Sequence, residues 1–335
     1  MNSLTNRLKN SINIGIIGAA GYTGGELIRI LINHPTVEIT FAHSKSQHGK
    51  PVYTTHTDLL GDTDLAFSGE NIQTLLNTVD LKAIFLCSGH GESKKFLAEY
   101  DVPDTVKIID LSTDFRDESY GFTYGLPELQ KEKIKTSTKI ANPGCFATSI
   151  ELAILPLANA GLIMDDLHIS AVTGSTGAGQ SLSTTTHFTW RNNNMSVYKA
   201  FTHQHLTEIK MTLGKLQEEF SKGVNFIPYR GDFTRGIMAN VYTKFAGTLE
   251  EAKLLYENYY ANHPFTHLSE APIDLKQVVN TNKCLMHLEV HAGELLITSI
   301  IDNLTKGASG QAVQNLNLLF GLPEDAGLRF KAPSF

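Results

Sequence analysis

The stretch that most limits what this chain can become lies near its start, where Asn13-Ile-Gly-Ile-Ile17 runs directly into Gly18-Ala-Ala-Gly21-Tyr-Thr-Gly24-Gly25. An apolar, β-rich run, a glycine-rich turn and the helix-like Glu26-Leu-Ile-Arg-Ile-Leu-Ile-Asn33 make strand, turn and helix. Val37-Glu-Ile-Thr-Phe-Ala42 follows as the next strand and completes a βαβ unit, the start of a doubly wound sheet. The glycines are spaced G-x-x-G-x-x-G. Gly18 permits the turn, Gly21 lets the backbone approach a pyrophosphate, and Gly24 lets helix and strand pack closely. The helix N-terminus then holds the phosphates, because its unpaired N–H groups favour negative charge. Glycines serving only a tight turn are the plain alternative; the flanking strand and helix favour a dinucleotide site.

The end of the second strand bears on which dinucleotide. An acidic residue there binds the ribose 2′-hydroxyl of NAD, whereas a basic, hydroxyl-rich loop suits a 2′-phosphate. This chain has His43-Ser44-Lys45-Ser46 and no carboxylate, so NADP is expected, with Ser44 and Lys45 as contacts. Two further strands, Ala83–Cys87 and Val106–Leu111, end in Ser88-Gly-His-Gly91 and Ser112-Thr-Asp-Phe-Arg116. Ligand contacts gather beyond the carboxyl ends of such strands. Cys87 reads as a packed core residue. Arg116 is either a fork for a phosphate or carboxylate, or a surface ion pair with Asp114 or Asp117.

Asn142-Pro-Gly-Cys145-Phe-Ala-Thr148 places a second cysteine before the apolar, helix-like run from Ser149 to Ala160. A thiol at a helix N-terminus has its pKa lowered and becomes a nucleophile; a buried cysteine after a turn is the competing reading. Beyond Gly161 the regular alternation of strand and helix gives way. Leu167–Val172 reads as a strand, residues 173–180 as a glycine-rich loop, and the polar stretch from Ser181 to Asn194 as the lining of a site or interface. His203-Gln-His205-Leu-Thr-Glu208 offers two histidines and a carboxylate. Histidines two apart with no cysteine nearby are a weak metal signal, and no metal is expected. A general acid/base histidine held by Glu208 is the better functional reading. Arg230 and Arg235, ahead of another strand, are candidates to clamp a carboxylate. A helix over Leu249–Tyr260 and strands near Val278–Val279, Leu285–Val290 and Leu295–Ile301 suggest an α+β domain with an antiparallel or mixed sheet. Lys306-Gly-Ala-Ser-Gly-Gln311 then opens a final amphipathic helix.

At 335 residues the chain has room for two domains of roughly 100–200 residues each. Its net charge of −6 argues against a general affinity for nucleic acid. Three cysteines without metal-ligand spacing do not make a disulfide framework. The polar opening segment carries no apolar run of signal-peptide length, and nothing approaches the roughly 18 apolar residues of a membrane span. A cytoplasmic protein is expected.

In order along the chain, these motifs resemble the N-acyl-γ-glutamyl-phosphate reductases of arginine biosynthesis, in the aspartate-semialdehyde dehydrogenase-like superfamily. The likeness runs from Gly18–Gly24 through Asp110–Arg116, Tyr124–Glu128, Asn142–Cys145, residues 173–179, His203–His205 and Thr234–Gly236 to Lys306–Ala312. It implies a Rossmann-type NADP domain over 1–145, a catalytic and oligomerisation domain over 146–304, and a C-terminal helix over 305–335 that returns to the first domain. It also implies reduction of a small acyl phosphate to an aldehyde by NADPH, with a dimer or tetramer as the assembly. Cys145 matches the family's nucleophile and His205 its acid/base partner. Gly18, Ala20, Gly21, Tyr22, Thr23, Gly24, Gly177 and Gln311 fall in motifs that hold the cofactor, and Arg116, Asn142, His203 and Arg235 in those that hold substrate. Where the family often has Tyr-Pro-Thr after the cysteine, this chain has Phe146-Ala-Thr148; where its histidine motif carries Arg and Pro, Gln204 and Thr207 stand here. The same fold with an aspartyl or aminoadipyl substrate, and a non-catalytic NADP sensor, are the competing readings.

Overall fold

The structure, a computed structural model, describes residues 11–333. The opening segment read above for a leader lies outside the described residues, apart from Ser11. The described residues divide into two compact units: one extends to Asn142 and resumes over Ser309–Leu328, the other holds Pro143–Ala308 and residues 329–333.

In the first unit, β1 (Ile12–Ile17), β2 (Val37–His43), β3 (Phe67–Ser68), β4 (Leu81–Leu86), β5 (Lys107–Asp110), β6 (Thr123–Tyr124) and β7 (Lys139–Ala141) form one sheet. Their order is β3-β2-β1-β4-β5-β7-β6, and every pairing is parallel. The order reverses direction between β1 and β4, which opens a crevice beyond their carboxyl ends. Helices α1 (Tyr22–Leu31), α2 (Ile72–Leu76), α3 (Glu92–Glu99) and α4 (Pro127–Lys135) connect the strands. Helix α1 starts four residues ahead of the apolar run at Glu26, because Gly21 takes an extended conformation and caps it. Ile17, Phe41, Ile84, Leu86, Ile108 and Phe115 belong to the core. The late helix Gly310–Leu319 is buried along its whole length and packs on α1 and α4. Two of its polar side chains tie it down: Asn315 Nδ2 donates to Gly125 O at 2.8 Å, and Asn317 Oδ1 meets His34 Nε2 at 3.1 Å.

The second unit has its own sheet, built from β8 (Leu167–Thr173), β9 (Ser196–Val197), β10 (Val224–Arg230), β11 (Ile237–Lys244), β12 (Thr266–Leu268), β13 (Cys284–His291) and β14 (Glu294–Ile301). The order is β12-β13-β14-β11-β8-β10-β9. The sheet is mixed: β8 with β10 and β12 with β13 run parallel, the other pairs antiparallel. No strand forms at Val278–Val279; both N–H groups donate to Leu275 O in a turn. The helices are α5 (Cys145–Asn159), α6 (Phe188–Arg191), α7 (Leu206–Leu216) and α8 (Leu249–Tyr260).

The division falls a few residues away from positions 145 and 304, for local reasons. Asn142 is tied into the first unit, its N–H donating to Asp110 O at 2.8 Å and its carbonyl accepting from Arg116 Nε at 2.9 Å. Gly144 and Cys145 instead begin α5. Residues 305–308 stay with the second unit through Gly307 N–H on Asp302 O.

Every residue of α5 from Phe146 to Ala158 is buried. A helix apolar on all sides belongs inside a core, and α5 packs on β11 and β14 while touching α7 and α8. Ser149 meets Ser299 on β14 at 3.2 Å, small side chains that allow a close approach. Glu151, wholly buried, accepts from Thr212 of α7 at 3.0 Å. Pro156 stands inside this helix. It removes the N–H that Leu152 O requires and its ring crowds that carbonyl. Two buried phenols of α8 donate here: Tyr260 Oη supplies the missing donor to Leu152 O, and Tyr256 Oη donates to the neighbouring Ala153 O, each at 2.5 Å. Removing the Tyr260 hydroxyl strands Leu152 O in the core, so Tyr260→Phe should lower stability by about 1–3 kcal/mol, read by denaturant unfolding. An unfolding midpoint equal to that of the native protein would show that the proline break needs no external donor.

Candidate active site

The first unit gathers one set of the expected residues. Gly18 has φ +79°, and a Cβ there would stand 2.9 Å from the backbone of Cys87. A Cβ on Gly24 would lie 2.6 Å from Ala19, so helix and turn touch through that glycine. Gly21 is different: its Cβ would meet nothing nearer than Gly18 O at 3.6 Å. The protein itself does not need a glycine at position 21, which fits a position kept bare for a ligand's phosphates. Beside the turn lies a cavity of about 510 Å³ lined by Gly18, Ala20, Ser44, Lys45, Ser46 and Lys95, among others. Ser44 is buried and Lys45 exposed. Tyr22 and Thr23 open α1, and Thr23 O accepts from Ser309 Oγ at 2.9 Å. Gln311 is buried in the late helix. Burial pushes the Cys87 thiol up to about 12, the opposite of an activated nucleophile.

In the second unit, Cys145 is the first residue of α5 and Gly144 its cap. The first intrahelical bond is Thr148 N–H to Gly144 O at 2.8 Å, so the N–H groups of residues 145–147 precede the helical ladder. Gly144 N–H donates to Glu208 Oε2 at 2.8 Å. The other oxygen of Glu208 lies 3.9 Å from His205 Nε2, one turn back at the start of α7. One buried carboxylate thus joins the cap of the cysteine's helix to the histidine. The Phe146 ring packs edge-on against His203 and His205, with centroids at 5.5 and 6.2 Å. That is a packing role, which needs no hydroxyl at this position.

The two histidines differ. His203 Nδ1 accepts the His205 N–H at 3.2 Å, which requires an unprotonated nitrogen. Burial, with help from the charges of Lys199 and Arg230, pushes His203 down to about 4. His203 is therefore a neutral acceptor that fixes the backbone of His205.

Other expected residues are held elsewhere. Arg116 is buried and gives Nε to Asn142 O and Nη2 to Leu111 O, so its guanidinium braces the chain ahead of the cysteine turn. Arg235 turns its fork on buried Asp302, at 2.9 and 3.1 Å. Asp302 thus takes the fork that the sequence offers to a substrate carboxylate. Gly177 lies in the 173–179 loop, which is bound to the next loop through Ser175 N–H on Phe233 O and Thr176 N–H on Thr234 O. Among the described residues no group of three or more His, Cys, Asp or Glu side chains is placed to hold a metal ion.

Sequence reading gives no role at the cysteine to two of its neighbours, Gly307 and Tyr198. A Cβ on Gly307 would lie 2.8 Å from Cys145 Cβ, so the turn at Thr305–Ser309 presses its backbone on the nucleophile candidate. Burial first, then the charge of Cys145, push the Tyr198 phenol up to about 12. The Arg230 guanidinium stands 4.6 Å from the Tyr198 ring centre. Nothing in the local pattern around Tyr198 marks it out; only the fold brings it to the cysteine.

The two halves of the chain match two family models. One describes a semialdehyde dehydrogenase NAD-binding domain and covers residues 13–137; the other describes a semialdehyde dehydrogenase dimerisation domain and covers residues 145–303. Together they define a nicotinamide-dependent semialdehyde dehydrogenase architecture. The likeness extends to aspartate semialdehyde dehydrogenase II of Vibrio cholerae, whose structure aligns with a TM-score of 0.71 at 17% identity over 93% of this chain and 98% of that one. At that identity it speaks for the fold alone. The N-acetyl-gamma-glutamyl-phosphate reductase of Christiangramia forsetii is 56% identical over 97% of this chain and its own full length. That of Bacteroides fragilis is 54% identical over the same shares. The chain belongs to the N-acetyl-gamma-glutamyl-phosphate reductase family. Among the described residues no helix is long and apolar enough to cross a membrane.

His203 makes stability depend on pH. An ordinary histidine takes its proton near 6.5 and this one near 4, so the unfolded chain holds the extra proton between those values. His203's contribution is complete above about pH 6.5 and is lost as pH falls toward 4. Urea unfolding at stepped pH should show a steeper acid loss for the native protein than for His203→Gln; parallel profiles would count against this assignment.

Proposed function

We propose that the chain catalyses the NADPH-dependent reduction of N-acetyl-γ-glutamyl phosphate, or a close N-acyl relative, to the N-acyl-glutamate semialdehyde and phosphate, a step of arginine biosynthesis. The observation that carries this reading is Cys145 at the open start of α5, joined through Glu208 to His205. Cys145 Sγ attacks the acyl carbon, the bond to the phosphate oxygen breaks, and phosphate leaves with the electron pair. The acyl group then rests on the thiol as a thioester. The nicotinamide, when bound, supplies hydride to that carbon. The N–H groups at the start of α5 stabilise the oxyanion, since the helix end that favours thiolate also favours developing negative charge. His205 gives the oxygen its proton and takes it back as the C–S bond breaks, releasing aldehyde and thiolate. Glu208 supports the protonated histidine.

The cofactor is read as NADP because the end of β2 carries Ser44 and Lys45 with no carboxylate through Ser46, beside a cavity whose lining also includes Lys95 and the Glu92 carboxylate paired with it. The turn carrying Gly18, Ala20, Gly21, Tyr22, Thr23 and Gly24 is read as the pyrophosphate cradle, with Gly177 and Gln311 as further cofactor contacts. Arg116, Asn142, His203 and Arg235 are the residues that serve the substrate in this reading. The likeness of residues 145–303 to a dimerisation domain supports self-association, and a dimer or tetramer is the assembly in this reading.

Cys145→Ser should bind NADPH as the native protein does and more tightly than NADH, by calorimetric titration, while turnover falls by at least about a thousandfold. A serine variant that still turns over would overturn the thioester route. Assay of N-acetyl and N-succinyl substrates side by side fixes the acyl group: with acetyl expected to be preferred, a reversed ratio would replace that choice.

A further inference from the structure

His56 lies outside every motif discussed so far, yet it is buried against the glycine-rich turn. Its Nε2 stands 2.9 Å from Ala19 O. A carbonyl only accepts, so Nε2 carries the proton and donates. The ring occupies the space above Gly25, where an added Cβ would come within 2.4 Å of Nδ1. The edge of Phe67, with ring centres 6.0 Å apart, packs against it, and His56 N–H donates to Val52 O at 2.9 Å. Histidine and turn are thus fitted to each other from both sides.

The consequence lies in the next peptide. Ala19 is held twice, its N–H donating to His43 O at 3.0 Å and its C=O accepting from His56. In a trans peptide the C=O of one residue and the N–H of the next point in opposite directions. None of the described peptide bonds is cis. With Ala19 O turned toward His56, the N–H of Ala20 is turned the other way, and Ala20 is one of the residues lining the cavity beside the turn. We propose that His56 is a positioning residue for the dinucleotide: by holding Ala19 O it presets the Ala19–Ala20 peptide so that the Ala20 N–H faces the pyrophosphate before the ligand arrives. Without that bond the peptide can rotate, and binding must bear the cost of ordering it. The inference rests on the reading of this turn as a dinucleotide site.

His56→Phe keeps a ring and removes the donor, whereas His56→Gln keeps an N–H at similar reach. Calorimetric titration with NADPH should show His56→Phe binding about tenfold more weakly and His56→Gln close to native. At saturating NADPH the turnover number of His56→Phe should stay within about twofold of native, so the change sits in KM. Gly25→Ala, which pushes the ring off the turn, should lose NADPH affinity in the same way and serves if His56→Phe does not fold. Native affinity in His56→Phe, or equal weakness in His56→Gln, overturns the proposal. If the native protein itself binds neither NADPH nor NADH, the dinucleotide reading fails and this inference with it.

Discussion

A single carboxylate sets the conditions for the second unit. Glu208 is buried, and it remains so because it takes the Gly144 N–H and faces His205. A buried acid without such donors is costly, and a helix start buried without acceptors is costly too; here each satisfies the other. The geometry that follows is tight. The first residue of α5 must be the cysteine, the next ring must pack against both histidines, and the helix must run inward from there. Thr212 on Glu151 repeats the α5–α7 link two turns deeper. Because α5 is buried on all sides, its register cannot slip without moving a whole core, and Cys145 stands where that register leaves it.

The first unit uses a different device. Its turn is made by glycines that answer to separate demands: positive φ at Gly18, contact with Ala19 at Gly24, open space at Gly21. One unit therefore holds its cysteine turn by hydrogen bonds and packing, the other presents bare backbone. Each needs rigidity, and each obtains it from residues distant in sequence, Glu208 for Gly144 and His56 for Ala19.

What the sequence made legible was local. Strand, glycine turn and helix follow from spacing over about thirty residues, and Pro143-Gly144 before an apolar run marks Cys145. What stayed hidden joins distant positions. The run from Ser149 to Ala160 reads as helix, but not what steadies it around Pro156: Tyr260 and Tyr256 donate to it across the core. Arg235 reads as a ligand for anions, and the carboxylate that meets it in the fold, Asp302, is 67 residues further along the chain. Val278 and Val279 have strand composition but lie in a turn. Residue types limit which bonds can form; only topology says which partner arrives. The whole-chain likeness supplied what periodicity could not, since neither the histidine pair nor Arg116 has a distinctive local pattern.

The path of the chain has a consequence for how the protein is made. The polypeptide leaves the first unit at Asn142 and returns at Ser309, and the residues just inside those crossings, Cys145 and Gly307, lie against each other. The stretch Pro143–Ala308 is therefore an insertion whose ends meet. On the ribosome, the first sheet emerges early but waits for Gly310–Leu319 until all of that insertion has been synthesised. The unit that begins the chain is among the last parts to be finished.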